Sequence, residues 1–234
     1  MRAVTFDFGQ TLAELDHDFL QRRAHTFGAE LDPSASRAAT VSAWHAYGTA
    51  KALGHARAWQ AMILEYLRAG GVHKIRAEEA DAQYAEKIAQ LLWDGQPTHN
   101  LWRKPIAGMF ELAAELAARQ VPMGIISNSE GHLAELLEEL GYGALFPVVI
   151  DSGRVGVDKP NPRIFQLAAE ALAVDISQIV HVGDAWEADV MGARAAGAQA
   201  IWYAPTDDRA LPEGVIACRN AEDLRQALRT FGVG

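Results

Sequence analysis

Ala3-Val4-Thr5-Phe6-Asp7-Phe8-Gly9-Gln10-Thr11-Leu12 is the stretch on which the fold turns: an apolar run of strand length ends on an acid and passes at once into a polar turn. Two later stretches follow the same pattern. Met123-Gly124-Ile125-Ile126 runs into Ser127-Asn128, and Ile179-Val180-His181-Val182 into Gly183-Asp184, with Asp189 five residues further on. Short, mainly apolar runs bounded by turn signals read as strands buried on both faces. In an open parallel α/β sheet, ligands bind in the crevice outside the carboxyl ends of the strands. Asp7, Thr11, Ser127, Asn128, Asp184 and Asp189 are therefore expected to gather there, together with Lys159 of Gly156-Val157-Asp158-Lys159-Pro160-Asn161-Pro162.

Outward from these runs, strand and helix signals alternate from about Met109 onward. Leu112 and Leu116 mark a helix closed before Pro122, and Leu133, Leu136, Leu137 and Leu140 a second helix up to Gly141 as its C-terminal cap. Val148 to Ile150 reads as a strand. Asn161-Pro162 reads as an N-cap followed by proline at the first helical position, opening a helix through Phe165 and Leu172. A helix ending at Gly197, strands at Ala200 to Tyr203 and near Val215, and a last helix carrying Leu224, Leu228 and Phe231 complete the series. The expected fold class is α/β, a Rossmann-like parallel sheet covered by helices on both faces. Residues 15–104 read differently. They hold about four amphipathic helices broken at Asp32-Pro33, Gly54 and Gly70-Gly71, with Trp59, Met62, Ile63, Tyr66 and Leu67 on one stripe and no convincing strand. The expected organisation is an α/β core of residues 1–14 and 105–234 with an inserted α-helical cap over 15–104, two connecting segments and a hinge above the crevice.

Composition narrows the function classes. The formal net charge of −9 over 234 residues, with no face-wide Lys/Arg run, argues against nucleic acid as a partner. The single cysteine, Cys218, rules out an intrachain disulfide and suits a reducing compartment, where it serves as small apolar filler. No run reaches the roughly 18 apolar residues of a membrane helix and the chain starts without a signal-peptide pattern, so a cytoplasmic monomer or homodimer is expected.

Val4 to Leu12 resembles the first motif of the haloacid dehalogenase-like hydrolase superfamily, in which an aspartate at the end of the central strand is the nucleophile. Ser127-Asn128 matches its second motif, Lys159 its third, and Gly183-Asp184 with Asp189 its fourth, in that order; the insertion lies where the superfamily places a helical cap. The resemblance implies a hydrolase acting on a small phosphorylated metabolite. The chemistry agrees. A carboxylate attacking phosphorus replaces one difficult displacement with two easier ones, a role for Asp7. Repulsion between the anions calls for positive charge and fixed donors around the phosphoryl oxygens. Lys159 supplies the charge, Ser127 a hydroxyl, and Asn128 a backbone N–H at the expected start of the following helix. Mg²⁺ favours oxygen ligands, which Asp7, Asp184 and the Gly9 carbonyl offer, while Asp189 orients Lys159 or a metal-bound water.

One position departs from the pattern. Most phosphatases of the superfamily carry a second aspartate two residues after the nucleophile, as general acid and base, and here that residue is Gly9. Such help is worth about 10² to 10⁴ in rate. Three readings stay open: a phosphatase using a good leaving group or an acid from elsewhere; a 2-haloacid dehalogenase or a phosphonate hydrolase using a cap lysine such as Lys51; or a weakly active or non-catalytic binder of phosphate esters. Asp184 and Asp189 speak against the dehalogenase, whose relatives need no metal. Glu14, Asp16, His45 and His55 are the first alternatives for the missing proton donor. His45, Lys51, His55, Arg57, His99 and Arg103 are candidates for substrate selection, and Trp186 borders the crevice as a packing residue.

Overall fold

The computed structural model describes residues 2–32, 35–53, 58–74, 82–203 and 209–233. The chain falls into two compact units, Met1–Leu15 with Trp102–Gly234, and Asp16–Leu101. The first unit opens with β1 (Ala3–Phe6), every residue of it buried, and β2 (Ala13–Leu15). Between them the chain winds tightly. The Leu12 and Ala13 N–H groups both donate to the Phe8 carbonyl, at 2.9 and 3.0 Å, and Gln10 takes a left-handed φ of 61°.

The second unit contains α1 (His17–Thr26), β3 (Ala29–Glu30), α2 (Ser36–Ala52), α3 (Ala58–Ala69), β4 (His73–Lys74) and α4 (Ala82–Asp94). Asp16 caps α1, its carboxylate accepting from the Phe19 N–H at 2.8 Å. On α3 the stripe read from the sequence turns inward: Met62, Ile63, Tyr66 and Leu67 are buried. Trp59 stacks on Tyr47 of α2, ring centroids 4.1 Å apart. The expectation of an insertion without strands is corrected here. β3 and β4 form an antiparallel ribbon pairing Ala29 with Lys74 and Glu30 with His73. Two-residue strands are too short to show the alternation by which a strand is recognised.

The chain returns to the first unit with β5 (Trp102–Pro105), antiparallel to β2. It continues through α5 (Met109–Ala118), β6 (Met123–Ser127), α6 (Leu133–Glu139), β7 (Val148–Asp151), α7 (Ser152–Val155), α8 (Pro162–Leu172) and β8 (Ile179–Gly183). A π-helical turn at Trp186–Met191, α9 (Gly192–Ala196), β9 (Gln199–Tyr203), β10 (Val215–Cys218) and α10 (Ala221–Thr230) complete it. Asn161 caps α8, accepting from Arg163 N–H at 3.0 Å, with Pro162 in the first turn.

These strands build one parallel sheet in the order β10-β9-β8-β1-β6-β7. From β1 the chain adds β6 and β7 on one side and later β8, β9 and β10 on the other. The reversal between β1 and β8 is the topological switch point where such sheets open a binding crevice. Phe6, Phe165 and Trp202 are among the largest fully buried side chains of the core around it. Among the described residues no helix is long and apolar enough to cross a membrane.

Candidate active site

Asp7 follows β1 directly, and its N–H donates to the Val182 carbonyl of β8 at 2.8 Å, which fixes the acid at the switch point. Its Oδ1 accepts from Lys159 Nζ at 2.6 Å, and the same ammonium donates to Asp189 Oδ1 at 2.6 Å. Lys159 is only 5 % exposed and Asp189 1 %. A buried ammonium persists only when paired and hydrogen-bonded, and here two carboxylates satisfy it.

The backbone that carries Lys159 is itself clamped. Asn128 Oδ1 accepts from the Lys159 N–H at 2.8 Å, and Asn128 Nδ2 donates to the Lys159 carbonyl at 3.0 Å. This corrects the placement of Asn128 at a helix start, since α6 begins only at Leu133. The loop between is pinned instead by β7: Asp151 accepts from the Gly131, Leu133 and Gly153 N–H groups at 2.9, 3.0 and 3.0 Å. Ser152 Oγ accepts from the Ser129 N–H at 3.1 Å, next to Asn128. Ser127 closes β6 in a buried position, and Thr11 is buried in the turn after β1 with its hydroxyl facing no protein partner.

Asp184 follows β8 half-buried, its carbonyl accepting from Trp202 Nε1 at 2.8 Å. Asp189 sits in the π-helical turn, its Oδ2 accepting from the Ala185 N–H at 2.8 Å. Gly183 permits this fold-back. A Cβ there would come within 2.3 Å of Asp189 Cγ. At Gly9 the situation is the reverse: φ lies outside the left-handed region and a Cβ would meet only the Trp102 ring, at 3.6 Å. Glycine at that position is therefore not required by the backbone.

Three carboxylates facing one ammonium leave the site short of positive charge. Burial raises the Asp7 carboxyl above its ordinary value; Lys159 opposes the rise and Asp189 adds to it. Burial also lifts Asp184 well above the usual carboxylate range, reinforced by Asp7 and Asp189. Burial would likewise lift Asp189, but Lys159 and His181 outweigh it and hold the group well below that range. Burial works to lower Lys159, yet Asp189 and Asp7 outweigh it and keep the ammonium charged. Oxygens of Asp7, Asp184 and Asp189 lie within 4.8 Å of one another. Asp189 has both oxygens engaged, which leaves Asp7 and Asp184 as donors. An all-oxygen set that resists ionisation without added positive charge fits a hard divalent cation.

The residues singled out from the sequence for other roles scatter. Arg103 belongs to β5 in the first unit, not to the helical insertion, and its guanidinium pairs with Glu139. His45 and His99 are exposed in the second unit; Lys51 lies on α2, its side chain beyond the described atoms, and His55 and Arg57 lie outside the described residues. Glu14 pairs with Lys104 at 2.7 Å and Asp16 is committed to the α1 cap, so both alternative acids have structural employment. Trp186 packs edge-on against Trp202, centroids 4.8 Å apart, with the Arg209 guanidinium 4.6 Å above its ring. The sequence reading overlooked His181, Asp151 and the Asn128 side chain. A polar residue interrupting an apolar strand was the available signal for His181; no local pattern marks the other two.

Comparisons with known proteins identify the family. The family model for haloacid dehalogenase-like hydrolase matches residues 1–197. The human haloacid dehalogenase-like hydrolase domain-containing protein 3 is 29 % identical over 207 residues, covering 84 % of this chain and 79 % of that protein. Phosphoserine phosphatase of Thermus thermophilus is 33 % identical over 150 residues, 62 % of this chain and 55 % of that one. Among solved structures, the magnesium-bound HAD-hydrolase YfnB from Bacillus subtilis superposes with a TM-score of 0.67 at 20 % identity, covering 97 % of this chain and 98 % of the other, a likeness of fold. With the matched region reaching from the first strand beyond Asp189, the chain belongs to the haloacid dehalogenase-like hydrolase family.

Proposed function

We propose that this hydrolase is a metal-dependent phosphatase of a small phosphorylated metabolite, working through an aspartyl-phosphate on Asp7. The observation that carries the reading is the buried Asp7–Lys159–Asp189 chain, both links 2.6 Å, with Asp184 beside it. A carboxylate oxygen of Asp7 attacks phosphorus as the bond to the leaving oxygen breaks, and water then attacks phosphorus to regenerate the carboxylate. Lys159 neutralises the phosphoryl oxygens, with Ser127 and the Asn128 N–H as further donors, while Asp189 keeps the ammonium in place. A bound Mg²⁺, held by Asp7, Asp184 and the Gly9 carbonyl, supplies further charge neutralisation. Because Gly9 has no side chain, the leaving oxygen takes its proton from solvent. The match to a phosphoserine phosphatase supports this reaction class. The second unit, Asp16–Leu101, acts as the substrate-selecting cap in this reading.

Turnover of a panel of phosphate monoesters, 2-haloacids and phosphonoacetaldehyde, with Mg²⁺ and with chelator, tests it. Monoester turnover abolished by chelation, restored by Mg²⁺, trapped at Asp7 by a metallofluoride and reduced by on the order of 10³ or more in Asp7→Asn is expected. Halide release from a 2-haloacid that ignores the chelator, or a borohydride-trapped adduct on Lys51, overturns it.

A further inference from the structure

His181 lies at the middle of β8 with 0 % exposure, and Thr5 lies directly across from it on β1, in register. A fully buried imidazole costs free energy unless both ring nitrogens find partners. They do. Nδ1 lies 2.9 Å from Thr5 Oγ1 and Nε2 lies 3.3 Å from Asp189 Oδ1. Phe165 meets the ring edge-on at 85° with centroids 5.2 Å apart, which fixes its plane. A carboxylate can only accept, so Nε2 carries the proton and Nδ1 accepts from the threonine hydroxyl. Burial holds the ring below its ordinary pKa, in keeping with a neutral imidazole.

The Asp189 oxygen that His181 reaches is the one that receives the Lys159 ammonium. With Oδ2 tied to the Ala185 N–H, the imidazole supplies the remaining fixed contact that sets the rotation of this carboxylate. The geometry points to His181 as a positioning residue: it orients Asp189, which aims Lys159 at Asp7, and Thr5 fixes the tautomer that allows it. The inference rests on the phosphatase reading for its kinetic consequence, but not for its structural one. Partners at one remove from a reacting centre are commonly worth about 10- to 100-fold in activity.

Two variants of the full-length chain separate this from a packing role. His181→Gln keeps an N–H donor near the Nε2 position, whereas His181→Leu fills similar space without one. Expected for His181→Leu is a fall in kcat of about 10- to 100-fold and weaker inhibition by inorganic phosphate, while His181→Gln keeps most of both. Nitrogen-edited NMR of the side-chain ammonium groups supplies a readout independent of turnover, since the chain has five lysines. The Lys159 signal should shift in His181→Leu and stay near its native position in His181→Gln. Thermal unfolding of each variant sets the folded fraction against which these are read. An unmoved Lys159 signal in folded His181→Leu, or equal impairment by both variants, overturns the inference. If the unaltered protein turns over no phosphate ester, the phosphatase reading fails and the lysine signal alone decides the role of His181.

Discussion

At the scale of single residues, Gly9 governs what leaving group the site tolerates. Its backbone suits any L-residue and a Cβ would touch only Trp102 at 3.6 Å, in contrast to the neighbouring Gln10, whose φ is 61°. Gly9→Asp should therefore fold and place a carboxyl group where the leaving oxygen departs. In the unaltered protein, rates across a series of phosphate esters should fall steeply with leaving-group pKa. The variant should raise turnover of alkyl phosphates by up to about 10²-fold, with little gain for aryl phosphates. Equal alkyl and aryl rates in the unaltered protein, with chemistry rate-limiting, would mean that another residue delivers the proton. Of the candidate site residues, Asp7, Ser127 and Asp184 were legible in the sequence because each ends or follows a strand signal, whereas Lys159 and Asp189 were legible only through the motifs that carry them. Asp151 was not, because its role depends on three backbone N–H groups that no pattern in its own neighbourhood announces.

At the scale of elements, the loop from Ser129 to α6 makes few hydrogen bonds of its own and is held by the end of β7. Asp151 receives three N–H donors and Ser152 exchanges bonds with Ser129, at 3.1 and 3.3 Å. Gly153 allows the approach, since a Cβ there would come 2.5 Å from the Gly131 nitrogen. Removing a buried carboxylate with three charge-assisted bonds leaves those donors unsatisfied. Asp151→Ala should cost on the order of 3 kcal/mol by urea unfolding and should loosen the Asn128 clamp on Lys159. A change below about 0.5 kcal/mol would show that the loop holds itself. The strands β1, β6, β7, β8 and β9 were readable from apolar runs and their flanking turns. The β3–β4 ribbon was not, since pairing over two residues leaves no periodic trace, and neither was the π-helical turn, which depends on how Asp189 folds back onto Ala185.

At the scale of the whole molecule, stability should respond to pH through a partly buried acid, Glu130. Burial, with Asp151 adding, pushes the Glu130 carboxyl up from 4.5 to about 7. The folded state therefore holds this proton more tightly than the unfolded chain. Its contribution is fully present below pH 4.5, declines as pH rises towards 7 and is gone above. Glu130→Gln removes that loss, so its advantage over the unaltered protein in urea unfolding should grow between pH 5 and pH 8, by at most about 3 kcal/mol. An advantage independent of pH would assign the effect to packing. The strand order has a further consequence, and it concerns time. β1, buried throughout, occupies the centre of the sheet and is synthesised before both of the strands that flank it, β6 and β8. At roughly 5–20 residues per second, the 172 positions between Phe6 and Ile179 take roughly 9–34 s to appear. Throughout that interval the nascent chain carries a mainly apolar strand with at least one open edge, the kind of segment that invites pairing with a stranger or shelter by a chaperone.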